Sequence, residues 1–122
     1  MSRRVIAVVD DMFFASKIRA VAESLNVAVR FARSAAEALE AARTEEPSLI
    51  LADLHARACD PFALAEQLKA DETTRDVPLI GFFSHVQTEL KLRAEQSGYD
   101  RVMPRSIFSK NLPEILGGDD RA

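Results

Sequence analysis

Three acids and a hydroxyl stand directly after short apolar runs in this sequence, and their placement proposes one site. Leu49-Ile50-Leu51-Ala52 runs into Asp53, and Val5-Ile6-Ala7-Val8-Val9 runs into Asp10 and Asp11. Val77-Pro78-Leu79-Ile80-Gly81-Phe82-Phe83 runs into Ser84. Short apolar runs bounded by turn residues read as strands buried on both faces, the kind found inside a parallel sheet. In open parallel sheets, sites form in the crevice beyond the carboxyl ends of the strands. Three acids and a hydroxyl at such ends would make a small, acidic, metal-friendly site. Asp53 is its expected centre.

The elements that must position these groups alternate regularly. Arg4 to Asp10 reads as the first strand. Phe14, Ile18, Val21, Ala22 and Leu25 then recur at helical spacing, predicting an amphipathic helix from about Phe13 to Leu25. Val27, Val29 and Phe31 alternate with Ala28, Arg30 and Ala32, the pattern of a strand with one more exposed face, expected at a sheet edge. Ser34 followed by Glu37 has capping-box spacing and opens a helix from Ala35 to about Thr44, which Pro47 prevents from continuing. After the strand ending at Asp53 and a loop from His55 to Cys59, Asp60-Pro61 is a helix start, with Asp as cap and Pro at the first helical position. A fourth helix is expected from about Val86 to Ser97, with Gly98 past its end. Arg101-Val102-Met103 is a short last strand, and a final short helix can start at Asn111-Leu112-Pro113-Glu114. The order is (βα)₅, which predicts an α/β domain with a parallel sheet and right-handed crossovers.

Composition bounds what this domain can be. With 122 residues, 48% hydrophobic and 29% charged, the chain suits one globular domain over residues 1–122 with a real core. Sixteen basic against nineteen acidic residues leave a net charge of −3, so there is no electrostatic case for nucleic-acid binding. The apolar runs are too short to span a bilayer, and Asp10 interrupts the stretch after the basic start, which is not the pattern of a signal peptide. The lone Cys59 excludes an internal disulfide and fits a reducing cytoplasm; no neighbouring base is expected to activate it.

From Arg4 to Leu116 the chain resembles the receiver domain of two-component response regulators. The anchors are Asp10-Asp11 after the first strand, Asp53 after the third, Ser84 after the fourth, and Gly98-Tyr99-Asp100 leading into the fifth. The resemblance implies a flavodoxin-like three-layer sandwich with strand order 2-1-3-4-5 and a phosphoryl group accepted by Asp53 from a phosphohistidine. It implies a histidine kinase or phosphotransfer protein as donor, and a downstream protein docking on the fourth helix, fifth strand and fifth helix, where Val86, Leu90, Val102 and Pro104 would contribute. Turnover catalysis is not expected.

Elementary chemistry supports the same reading. A carboxylate is a poor nucleophile toward an anionic phosphoryl group, so the step depends on positioning and charge neutralisation. Asp10, Asp11, Asp53 and the backbone carbonyl of His55 could hold Mg²⁺, which favours hard oxygen ligands. Ser84 could then hydrogen-bond the phosphoryl group.

Four positions depart from the receiver pattern. Where receivers carry a lysine at the end of the fifth strand followed by proline, this chain has Arg105 and Ser106. Arginine keeps the charge but has a longer, planar fork that prefers bidentate carboxylate pairing. It would either contact the phosphoryl group or hold Asp53 in a standing ion pair. The switch aromatic is replaced by Val102, which has no ring to swing. His85 follows the hydroxyl where a small residue is usual, and the loop after Asp53 lacks the usual proline–glycine arrangement.

Blander roles compete. Asp10 and Asp11 could cap the first helix, and Ser84 the fourth. His55 and His85 could join the acids in a Zn²⁺ site, or be solvated loop residues. As a whole the chain could be a degenerate receiver that binds protein without phosphotransfer. A cofactor-binding flavodoxin-like protein is disfavoured, because two acids after the first strand would repel a phosphate.

Overall fold

The computed structural model describes residues 3–57, 59–84 and 88–118. Five parallel strands form one sheet: β1 (Arg4–Val8), β2 (Ala28–Phe31), β3 (Leu49–Asp53), β4 (Leu79–Phe83) and β5 (Arg101–Pro104), in the order β2-β1-β3-β4-β5. Between them run α1 (Met12–Ser24), α2 (Ala35–Glu45), α3 (Pro61–Ala70) and α4 (Thr88–Ser97), and after β5 come α5 (Arg105–Lys110) and α6 (Leu112–Gly117). The (βα) alternation, the flavodoxin-like sandwich and the edge position of β2 are as the sequence predicts.

Local chemistry explains the helix starts. Asp11 caps α1, its Oδ1 accepting the N–H groups of Phe13 at 2.9 Å and Phe14 at 3.2 Å. Ser34 caps α2 through the Glu37 N–H at 3.1 Å, while the Glu37 carboxylate reaches back to the N–H of Arg33 rather than to that of the cap itself. Asp60 caps α3 with Pro61 in its first turn. Gly98 turns the chain after α4 with φ at +124°, a backbone setting that side chains rarely adopt.

β3 and β4 are buried along their whole lengths, which is why both read as continuous apolar runs. The sheet separates two cores. On one side α1, α5 and α6 pack Phe14, Ile18, Phe108, Leu112 and Ile115 against Phe82. On the other, α2, α3 and α4 bring small residues, Ala38, Ala42, Ala65 and Ala94, close to the sheet, with Leu64, Leu68 and Tyr99 filling the remaining space.

Several boundaries differ from the sequence expectation. β1 ends at Val8 rather than Asp10, and β4 begins at Leu79 rather than Val77. The expected start of the fourth helix at Val86 lies outside the described residues, which show α4 from Thr88. The larger correction is α5. Arg105 to Lys110 belong to none of the elements expected from the sequence, but these residues form a helix directly after Pro104, and Asn111 joins it to α6. Arg-Ser-Ile-Phe-Ser-Lys has one strong apolar anchor and little periodicity. The anchor decides the matter, since Phe108 is fully buried against Phe82 and Phe14.

Candidate functional site

The sheet delivers the predicted residues to its carboxyl edge. Asp53 is the last residue of the central strand β3 and only 7% exposed. Its Oδ1 accepts the backbone N–H of His55 at 2.9 Å, which orients the carboxylate from the first residue pair of the following loop. Burial pushes the Asp53 carboxyl above its ordinary value; the His55 bond and the electrostatic influence of His55 and Arg105 oppose this, and the negative charge of Asp10 adds to it. Asp53 therefore feels both Asp10, from the β1 end, and Arg105, from the β5 end. Ser84 lies exposed just past β4. Because Phe83 pairs with Pro104, Ser84 and Arg105 leave neighbouring strands at the same level. Whether Ser84 caps the fourth helix, and any role of His85, fall outside the described residues.

The two adjacent acids have separate jobs. Asp11 is the cap of α1, as the blander reading had it, and it also pairs with Arg105, whose Nη2 donates to Asp11 Oδ2 at 2.8 Å. Arg105, with the Phe14 and Phe13 N–H groups, holds the Asp11 carboxyl below its ordinary value against a small opposing effect of burial. Asp10 Oδ2 instead accepts the N–H of Arg57, tying the loop after β3 to the end of β1.

Arg105 is the main correction to the sequence expectation. It is the first residue of α5 rather than the end of β5, and its ion pair is made with Asp11, not Asp53. The guanidinium also lies over the Phe14 ring, 4.0 Å from its centroid. Such a contact is worth roughly 0.5–1 kcal/mol at a partly exposed position. Sequence reasoning saw Phe14 only as a core residue and did not single out Arg57. A backbone N–H leaves no compositional signal, but the spacing of Phe14 three residues after Asp11 puts the ring on the face that the Asp11 partner must cross.

The expected Mg²⁺ set does not fit this arrangement. Asp11 has both oxygens engaged, Asp10 and Asp53 each accept a backbone N–H, and among the described residues no three His, Cys, Asp or Glu side chains come together as a metal site. That holds equally for the Zn²⁺ alternative as far as His55 is concerned. Cys59 is buried, and burial with the charges of Asp60 and Asp10 pushes its thiol up, so it is not poised as a nucleophile.

No family model matches the sequence, and no curated protein matches it. Solved structures do. A candidate response regulator from Chloroflexus aurantiacus superposes with a TM-score of 0.85 at 18% identity, over 97% of each chain. The chemotaxis response regulator CheY4 of Vibrio cholerae gives 0.82 at 16% identity, over 95% of this chain and 97% of the other. The receiver domain of a Pseudomonas aeruginosa sensor histidine kinase, solved with magnesium coordinated in its active-site cleft, gives 0.79 at 19% identity, over 97% and 99%. The fold is that of a response-regulator receiver domain.

Within the receiver fold, the aromatic of this chain's fifth-strand region is Tyr99, and it points inward. Its ring is 4% exposed and its hydroxyl donates to the Pro61 carbonyl at 2.8 Å. Gly81 makes room for it: a Cβ there would stand 3.0 Å from Leu54 Cδ2 and from the Tyr99 ring. Val102, at the position of the usual switch aromatic, is half-buried in β5. On the expected partner face, Leu90, Val102 and Pro104 are half-buried, and Leu92 and Ile107 are exposed; Val86 lies outside the described residues. No helix among the described residues is long and apolar enough to cross a membrane.

Proposed function

We propose that this chain is a two-component receiver module, one domain that accepts a phosphoryl group on Asp53 and passes the signal on by protein–protein contact in the cytoplasm. The observation that carries this reading is the placement of Asp53: a carboxylate at the carboxyl end of the central strand, buried by its neighbours and oriented by the His55 N–H, in a fold whose solved examples come from response regulators and sensor kinases. In the step, an Asp53 oxygen forms a bond to phosphorus. The bond from phosphorus to the donor nitrogen or oxygen breaks, and its electron pair leaves with the donor. The positive charge of Arg105, felt at Asp53, lowers the repulsion between the carboxylate and the arriving anion. Ser84, beyond β4, is the hydroxyl placed to bond the transferred group. The donor is a histidine kinase or a phosphotransfer protein. The family's Mg²⁺ enters no step here, because the carboxylates as arranged do not converge on one ion.

Incubation with acetyl phosphate or phosphoramidate, followed by intact-protein mass spectrometry, tests this. One phosphoryl adduct per chain is expected, absent from Asp53→Asn. An Asp53→Asn variant that still gains the adduct would place the acceptor elsewhere. No adduct on the wild-type chain would favour a second reading, a pseudo-receiver that binds protein without phosphotransfer. The specific observation behind that second reading is the Arg105–Asp11 pair across the site.

A further inference from the structure

We infer that Asp10 is a positioning residue for Asp53: its carboxylate latches the loop after β3, and that loop aims the acceptor through the His55 N–H. The inference rests on the proposed function only in taking Asp53 as the acceptor.

Three successive N–H groups of the loop carry it. His55 donates to Asp53 Oδ1 at 2.9 Å, Ala56 to the Asp53 carbonyl at 3.0 Å, and Arg57 to Asp10 Oδ2. The first two bonds close a turn on Asp53 itself, so by themselves they leave the turn able to pivot about the end of β3. The third reaches a different strand end, to an acceptor 47 residues away. β1 and β3 lie side by side there, with Val8 level with Ala52, so the latch joins two neighbouring strand ends. The loop needs such an anchor because its own chemistry supplies little. His55-Ala56-Arg57 contains none of the glycine, proline, asparagine or aspartate residues that set turn geometry from within. Ala56 packs against the apolar core, whereas His55 and Arg57 are exposed. A carboxylate accepting a backbone N–H makes one of the stronger hydrogen bonds, which suits it to the task. Small misplacements matter at a reacting carboxylate, where a shift of about 1 Å can cost up to about a hundredfold in rate. The charge of Asp10 acts on Asp53 in a different way, adding to the effect of burial, so latch and charge must be separated by experiment.

The test compares Asp10→Asn with Asp10→Ala in the full chain. Both variants lose the charge and the carboxylate, but only asparagine keeps an oxygen that can accept the Arg57 N–H. The difference between them therefore reads the latch alone. Asp10 is exposed and lies outside both cores, so the fold should survive either change. Amide hydrogen exchange at His55 and Arg57 is expected to be about tenfold faster in Asp10→Ala than in Asp10→Asn. Uptake of the phosphoryl group from acetyl phosphate is expected to be about tenfold slower in Asp10→Ala than in Asp10→Asn. Equal exchange at His55 in the two variants would overturn the inference, and so would equal measurable uptake. Faster exchange at Arg57 with none at His55 would overturn it too, since the tie would then not reach Asp53. A wild-type chain that never gains an adduct would end the phosphoacceptor reading, while exchange at His55 would still decide whether Asp10 holds the loop to Asp53. The two readings thus fail separately.

Discussion

The two faces of the sheet are packed by opposite means. The face under α1, α5 and α6 is filled with large rings: Phe82 stacks on Phe108 at 4.5 Å, and Phe14 tilts against both. The face under α2, α3 and α4 is filled by approach, with alanines letting the helices sit close and Gly81 clearing space for Tyr99. The site borrows from each. Arg105 is steadied by the ring side through Phe14, while Tyr99 on the small-residue side fastens the start of α3 at Pro61. Lys69 adds to the second fastening by donating to the carbonyls of Arg75 and Val77 and pairing with Asp100 at 3.1 Å. The lesson is that one face should fail when side chains shrink and the other when they grow.

The largest effect should come from truncating the ring side. Phe82→Ala removes a fully buried ring that touches both Phe14 and Phe108, and is expected to cost about 3–5 kcal/mol in denaturant unfolding. A loss under about 1 kcal/mol would mean that the ring side collapses as readily as an oil drop and is not the rigid support proposed for Arg105.

Next comes growth on the opposite side. Gly81→Ala sets a methyl 3.0 Å from Leu54 and from the Tyr99 ring. Leu54 can give way, but the ring is held by its hydroxyl bond, so a cost of about 1–3 kcal/mol is expected. A neutral substitution would show that Tyr99 is free to move after all. Tyr99→Phe sharpens the point. It leaves the shape and removes the donor to Pro61, whose carbonyl keeps its place in the first turn of α3, so the loss of one buried hydrogen bond is expected to cost about 0.5–1.5 kcal/mol. Gly81→Ala should be milder in the Tyr99→Phe background, because the ring is then unfastened; a double-mutant cycle reads the difference.

The smallest effect has a pH signature. Burial raises the carboxyl of Asp53 in the folded state. Between the ordinary carboxylate value and the raised one, the folded chain holds more protons than the unfolded chain. Stability from this group therefore falls as pH rises through that window and stays lower above it. Asp53→Asn should raise Tm by on the order of a few degrees at neutral pH, with the gain fading as the pH drops into the carboxylate range. A thermal scan series from acid to neutral pH that shows no such fading would mean the Asp53 charge is not strained by its site.

How much of this could be read in the residues varies with the range of the interaction. The buried runs ending at Val8, Asp53 and Phe83 declare themselves because a strand covered on both faces must be apolar throughout. Asp60-Pro61 and Ser34 declare their helices because caps act over two or three residues. α5 does not declare itself, since its helical state depends on one phenylalanine finding two others across the sheet. Asp53, Asp10 and Asp11 are legible as strand-end acids, yet nothing local divides their labour between cap, loop tie and acceptor.

Sequence alone thus determined the alternation of strands and helices, and with it the rim where the acids and Ser84 would stand, because burial pattern and capping are properties of neighbouring residues. Only the tertiary structure decided that Arg105 would turn to Asp11, 94 residues away, instead of to Asp53, and that Tyr99 would bond to Pro61. A side chain with several acids in reach is directed by what it rests on, and here that is the ring of Phe14, placed by packing against two other rings.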